Sequence, residues 1–165
     1  MTQGTLTLSP TLREKAELLD QFSSFCQSAC QTMLSCLSDA LQRDSSSRRL
    51  ESSNRDGRPS DTGLILISEP TKKKLADCVD NTHTDGGTLT LVFSDAWGTM
   101  IEDPESKAWG FIEPKPGCAV VNVADSLQAL SGERLHSCRH RVTQPGDGYQ
   151  QRLFIAYFLR PELSS

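Results

Sequence analysis

Two hydrophobic periods run along this chain. Near the N-terminus the apolar positions are Leu12, Ala16, Leu19, Phe22, Cys26, Cys30, Met33, Leu37 and Leu41, in steps of three and four. That spacing predicts one apolar stripe along a helix. Ser9 followed by Pro10 predicts its start, with serine as N-cap and proline in the first turn. Unbroken to Gln42, the helix would be roughly 50 Å long at about 1.5 Å per residue. A helix so one-sided has to lie on a sheet or on another helix, and packing against the rest of the chain is preferred to a dimerising coiled coil. The next stretch, DSSSRRLESSNRDGRPSD from Asp44 to Asp61, has one isolated leucine. It predicts a mobile surface connection with no function of its own.

From Thr62 onward the pattern shortens to strand length. TGLILIS, then TLTLVF, Trp97–Ile101, Ala108–Glu113, Cys118–Val123, Arg134–Val142 and Arg152–Leu159 read as short strands. Between them stand turn residues: Glu69-Pro70, Ser94-Asp95, Asp103–Ser106, Pro114–Gly117 and Gln144–Gly148. Lys72, Lys73 and Lys74 read as an exposed loop tip. Short strands broken by turns at this frequency predict a mainly β sandwich or barrel. The division expected is residues 1–61 for the helix and its connection, and residues 62–162 for the β domain.

Composition narrows the function. With 165 residues the chain can bury a core of its own. A net charge of −4 with no basic stripe argues against nucleic acid as a partner. No apolar run approaches the ~20 residues a membrane span needs, and the first residues lack the pattern of a secretory signal. The six cysteines include no zinc-type CxxC pair and are read as reduced thiols, mostly buried as small hydrophobes. A cytoplasmic protein is expected.

The chemistry gathers in HTDGGTLTLVF, His83 to Phe93. On an extended strand residues two apart share a face, so His83 and Asp85 point the same way and can grip one ion. His136 and His140 lie in RLHSCRHRV, and strand parity alone does not choose between them. Two imidazoles and one carboxylate on one side of a metal leave the other side open, which suits non-haem Fe(II).

These residues keep familiar company. HTDGGTLTLVF, WGFIEPKPGCAVVNVADSLQALSG, HSCRHRVTQP and QRLFIAYFLRPE follow in an order that resembles the C-terminal catalytic domain of the Fe(II)- and 2-oxoglutarate-dependent dioxygenases related to isopenicillin N synthase, with fungal members most alike. The resemblance runs from about Thr62 to Glu162. It implies a double-stranded β-helix (jelly roll) with the long helix packed on its outside. It also implies Fe(II) held by His83, Asp85 and His140 rather than His136, with 2-oxoglutarate as co-substrate. Dioxygen and a small organic substrate, of secondary metabolism, complete the reaction, which would be hydroxylation, desaturation or ring closure. A turn at Gln144–Gly148 would set Arg152 across from His140 on the neighbouring strand, where its guanidinium pairs the far carboxylate of 2-oxoglutarate.

Several positions depart from the family pattern. Ser68-Glu69-Pro70 stands where a tyrosine reaches the co-substrate, Phe154 replaces a serine after Arg152, and Ala124 replaces a glycine. By the same likeness Trp97 and Met100 are candidate pocket residues, although core and turn packing is the preferred reading. Asp125 is expected to cap a turn rather than bind metal, and Arg160 to face solvent. Complete relatives carry a further N-terminal domain that the resemblance implies is absent here. Two alternatives follow: an oxidase of the same fold that needs no 2-oxoglutarate, and a non-catalytic relative that only binds.

Overall fold

The computed structural model describes residues 9–41, 49–70, 81–143 and 151–163. The predicted helix forms as α1 (Pro10–Glu14) and α2 (Ala16–Ala40), separated at Lys15 by backbone angles of φ −106° and ψ 8°. Ser9 caps α1 as expected, its Oγ accepting the Leu12 N–H. The buried stripe of α2 is Cys26, Cys30, Leu34 and Ser38, rotated slightly from the predicted line. Leu34 is the stripe's centre and is fully buried, whereas Met33 and Leu37 flank it. Serine appears in that apolar face because its hydroxyl donates to Glu51 Oε2 (2.8 Å) and accepts the Leu50 N–H (2.9 Å).

The connection expected to be mobile is in part ordered. Leu50–Ser53 forms a 3-10 turn, with Leu50 only 1% exposed inside the helix-side core. Arg49 reaches Asp39 and Glu51, and Arg55 grips Glu162 with two guanidinium nitrogens. Composition concealed this because the order rests on one buried leucine and on partners remote in sequence. The first part of the connection, residues 44–48, lies outside the described residues.

The β region builds two antiparallel sheets. β1 (Gly63–Pro70), β7 (Gln151–Leu159), β2 (Leu89–Phe93) and β5 (Val120–Val123) lie in the order β1-β7-β2-β5. β4 (Trp109–Phe111), β3 (Thr99–Glu102) and β6 (His140–Val142) make the second sheet, order β4-β3-β6. An isolated bridge from His83 to His140 adds a further segment beside β6. A short helix, α3 (Asp125–Leu130), follows β5, and Ala124 precedes it at φ −105°, so the missing glycine costs nothing there. β1 runs through Glu69-Pro70, where a turn was expected. The lysine tip and the Gln144–Gly148 turn fall outside the described residues.

Register assigns the faces. Leu91 opposes Tyr157 and Leu89 opposes Leu159, and these four pack with Cys26, Cys30 and Leu34 of α2. Tyr157 fixes the helix further by donating its hydroxyl to Gln27 Oε1 at 2.7 Å. Helix and sheet therefore share one apolar cluster, as the packing reading required. The other face carries Thr90 opposite both Phe158 and Asn122, then Val92 opposite Ala156. Alternation along β7 puts Phe154 and Arg152 on that same face.

The cysteines divide. Cys26 and Cys30 are buried in the core, where burial pushes the Cys30 thiol up to about 12. Cys36 and Cys118 are exposed, against the expectation of burial, because they fall on helix and turn positions that face outward. No helix among the described residues is long and apolar enough to cross a membrane. Replacing Leu34 with alanine should cost about 3 kcal/mol, the range for a large core side chain, measured as a lowered urea midpoint at unchanged slope.

Candidate metal centre

His83 and His140 are joined backbone to backbone. The His83 N–H donates to the His140 carbonyl (3.0 Å) and the His140 N–H donates back (2.9 Å). A closely spaced antiparallel pair of this kind sets its two side chains side by side. The imidazole centroids are 4.3 Å apart. Asp85, two residues on, turns Oδ1 towards both rings, 3.7 Å from His83 Nε2 and 3.5 Å from His140 Nε2. One donor atom from each of the three residues lies within 4.8 Å of the others. Neighbouring ligands on one metal at ~2.1 Å stand ~3 Å apart, so the donors would draw closer around a cation.

The rings are also in the right tautomer. His83 Nδ1 is 2.6 Å from the Asn81 carbonyl and His140 Nδ1 is 3.2 Å from the Cys138 carbonyl. A carbonyl only accepts, so each Nδ1 carries the hydrogen and each Nε2 keeps its lone pair for the ion. Asp85 is 5% exposed. Burial pushes its carboxyl up, but the hydrogen bond and charge that a protonated His140 would offer, with the Asn122 hydrogen bond, outweigh that and hold it below its ordinary value. Burial would lower His140, yet its contacts with Asp85 and the Cys138 carbonyl leave it raised. A positive charge between these groups is thus favoured, whether a proton or a metal carries it.

The loop around Asp85 is tightly determined. Its carbonyl accepts the Asp125 N–H at the start of α3, and the Gly87 carbonyl accepts that of Ser126. Asn122 Nδ2 donates to Asp85 Oδ2 at 3.3 Å, leaving Oδ1 for the imidazoles. Gly87 has φ +118°, and a Cβ there would stand 2.9 Å from the Leu159 carbonyl oxygen. Only glycine lets this turn pass beneath the end of β7. Sequence reasoning had not singled out Gly87, although a Gly-Gly pair directly after the acid was the available signal. Asn81, too, was overlooked.

Other expected residues fall as follows. Asp125 accepts from the Thr84 hydroxyl (3.2 Å) and belongs to no metal cluster among the described residues; its side chain makes no helix-capping bond. His136 is exposed and stands outside β6 rather than on a strand. Arg160 is half-buried, donating to the Asp61 carbonyl and lying over the Phe158 ring, because the end of β7 packs against residues 61–62.

Arg152 is not on the strand beside His140. β7 pairs with β1 and β2, and His140 belongs to the opposite sheet. Both sheets are needed to close the barrel, so the chain crosses between them instead of forming a hairpin. Arg152 nevertheless reaches across: it is fully buried, and its Nε donates to the Trp97 carbonyl at 2.9 Å. A Cβ on Gly98 would stand 3.1 Å from the Thr143 carbonyl oxygen, with Phe154 and Arg152 at ordinary contact distances of 3.4 and 3.7 Å. Gly98 itself accepts the Thr143 N–H, three residues beyond His140. Arg152 therefore approaches the opposite sheet ~10 Å along β6 from the histidine.

Met100 opposes Arg141 and Phe111 on the outer face of its sheet, because His140 and its partner Ile101 take the inner one. It therefore does not face the metal centre. The Trp97 indole packs edge-on against Phe111, 6.1 Å between centroids, so the packing reading describes it. Ser68 accepts from Gln151 Nε2 at 2.6 Å.

Comparison with known proteins agrees with this geometry. The family described as the 2OG-Fe(II) oxygenase superfamily matches residues 65–161. A 2-oxoglutarate-dependent dioxygenase of Amanita muscaria, iboH, is 45% identical over 159 residues, covering 94% of this chain and 77% of that protein. A second, FG08081 of Gibberella zeae, is 36% identical over 95% of this chain and 48% of its own length. Among solved structures, the full-length Neurospora crassa T7H in complex with alpha-KG and 5-formyluracil superposes with a TM-score of 0.81 at 23% identity. That likeness covers 98% of this chain and 53% of T7H, and it supports the jelly-roll fold. The chain thus spans about half the length of FG08081 and T7H and a larger share of iboH.

Changing Asp85 to alanine should abolish Fe(II) binding, measured by anaerobic equilibrium dialysis. It should also lower stability by about 1–3 kcal/mol, since Asn122 Nδ2 loses its acceptor.

Proposed function

This chain belongs to the 2OG-Fe(II) oxygenase superfamily, oxidoreductases that use Fe(II) and 2-oxoglutarate, and from that premise we propose that it is a dioxygenase acting on a small organic molecule. The observation that carries the reading is the convergence of His83, Asp85 and His140 with both Nε2 lone pairs free for one cation. The donor set fits Fe(II): two neutral imidazoles and one carboxylate leave a residual positive charge that favours an anionic keto acid. Held by His83, Asp85 and His140, Fe(II) would supply the oxidising chemistry by which 2-oxoglutarate and dioxygen become succinate and carbon dioxide while the substrate is hydroxylated, desaturated or cyclised.

The chain's own residues do the rest. Residues 62–162 carry the chemistry, and within residues 1–61 α2 and the Leu50–Ser53 turn support the outside of the barrel. Arg152 pairs the far carboxylate of 2-oxoglutarate with its guanidinium, from its buried place on the inner face of β7 beside the Trp97 carbonyl. Phe154 offers no hydroxyl there, so the co-substrate rests on fewer hydrogen bonds. Phe154, Ala156 and Val92 share the inner sheet face with Arg152 and make it apolar, which would help keep water from the site. Likeness to fungal dioxygenases supports a substrate from secondary metabolism, and exposed free Cys36 and Cys118 fit a reducing, cytoplasmic setting.

The missing hydroxyl at Phe154 also favours a second reading, in which Arg152 binds a substrate carboxylate and no 2-oxoglutarate is used. Succinate formation separates the two. The native protein with Fe(II) and dioxygen should release succinate from 2-oxoglutarate even without substrate, slowly. Arg152→Leu should raise the 2-oxoglutarate concentration needed by at least ~30-fold, as expected when a buried charge loses its partner. No succinate from an iron-loaded protein would reject the dioxygenase reading.

A further inference from the structure

We propose that Asn81 is a positioning residue for the metal centre: its side chain takes over a backbone hydrogen bond so that its carbonyl can orient His83. The inference rests on the metal-site reading above.

Register exposes the substitution. His83 and His140 exchange both N–H···O bonds. In a regular antiparallel ladder the next such pair would be Asn81 and Val142, two residues along each strand. There the Asn81 carbonyl would accept the Val142 N–H. Instead that N–H donates to Asn81 Oδ1 at 3.1 Å. The carbonyl it would have used is turned to His83 Nδ1 at 2.6 Å. An asparagine side chain ends in the same amide oxygen as the backbone, so it can replace its own carbonyl in the ladder.

Geometry makes this useful at His83 in particular. Its side chain is 52% exposed, against 11% for His140. His140 is held by packing as well as by the Cys138 carbonyl. For His83 the Nδ1–H bond to Asn81 sets both ring orientation and tautomer, and presents Nε2 to Asp85. Without an acceptor at position 81, the Val142 N–H can reclaim the carbonyl. His83 then loses its partner, and the ring is free to turn or to move its hydrogen to Nε2, where it would block the ion. Outer-shell partners of this kind typically contribute 10–100-fold in metal affinity.

The test compares Asn81→Ala with Asn81→Asp, which keeps an acceptor oxygen. Two readouts are taken: Co(II) affinity by anaerobic titration, and the His83 tautomer in the metal-free protein by ring-nitrogen NMR at a pH where the imidazole is neutral. Asn81→Ala is expected to weaken Co(II) binding by roughly 10–100-fold and to shift His83 away from the Nδ1–H form. Asn81→Asp should keep that form and bind Co(II) at least as well as within about threefold of native, well inside the range set by an outer-shell loss. An alanine variant with native affinity and an unchanged tautomer overturns the proposal. So does an aspartate variant that loses both as fully as alanine does. If the native protein binds no Co(II), the metal reading fails, while the tautomer comparison still decides the role of Asn81.

Discussion

Everything at the centre depends on one closely spaced antiparallel pair. His83 and His140 come from segments nearly sixty residues apart, and two mutual backbone hydrogen bonds bring their rings to 4.3 Å between centroids. Asp85 completes the set because it follows His83 by two residues and its loop is pinned to the start of α3. A buried carboxylate beside two imidazoles is costly unless a positive charge joins them. Here the carboxyl stays below its ordinary range and His140 stays above its own, each held there by the other. The protein has assembled the electrostatics of a cation site from neutral backbone bonds and one charge.

The remaining structure holds that pair in register. α2 lies on the outer face of the four-stranded sheet through Cys26, Cys30 and Leu34, and the 3-10 turn at Leu50–Ser53 locks the helix in place. The sheet's inner face then offers Asn122 to Asp85 and carries Arg152 towards the opposite sheet. One glycine is needed on the way, Gly87, because its positive φ lets the turn pass under the end of β7 where a Cβ would clash. Support and site are thus one packing problem.

Much of this was legible in the sequence. The three and four spacing gave α2, and strand-length runs gave both sheets. The resemblance named His83, Asp85 and His140, which the structure brings together, and preferred His140 to His136, which parity leaves open. What escaped was non-local. Order in residues 49–58 depends on Leu50 reaching the helix and on Arg55 meeting Glu162, more than a hundred residues away. Arg152 was placed on the wrong sheet because a turn signal implies a hairpin, whereas barrel closure sends the chain across. Met100 faces outward because the register with His140 assigns it there, and register is invisible in composition. Asn81 had no signal beyond standing two residues before His83.

One measurement bears most directly on the central reading: an anaerobic titration of the metal-free protein with Fe(II) and then 2-oxoglutarate, followed by visible absorption. A metal-to-ligand charge-transfer band that needs both additions is the expected result. It would mean that His83, Asp85 and His140 hold iron with positions open to a chelating keto acid. Iron binding with no band on adding 2-oxoglutarate, or no iron binding at all, would contradict it.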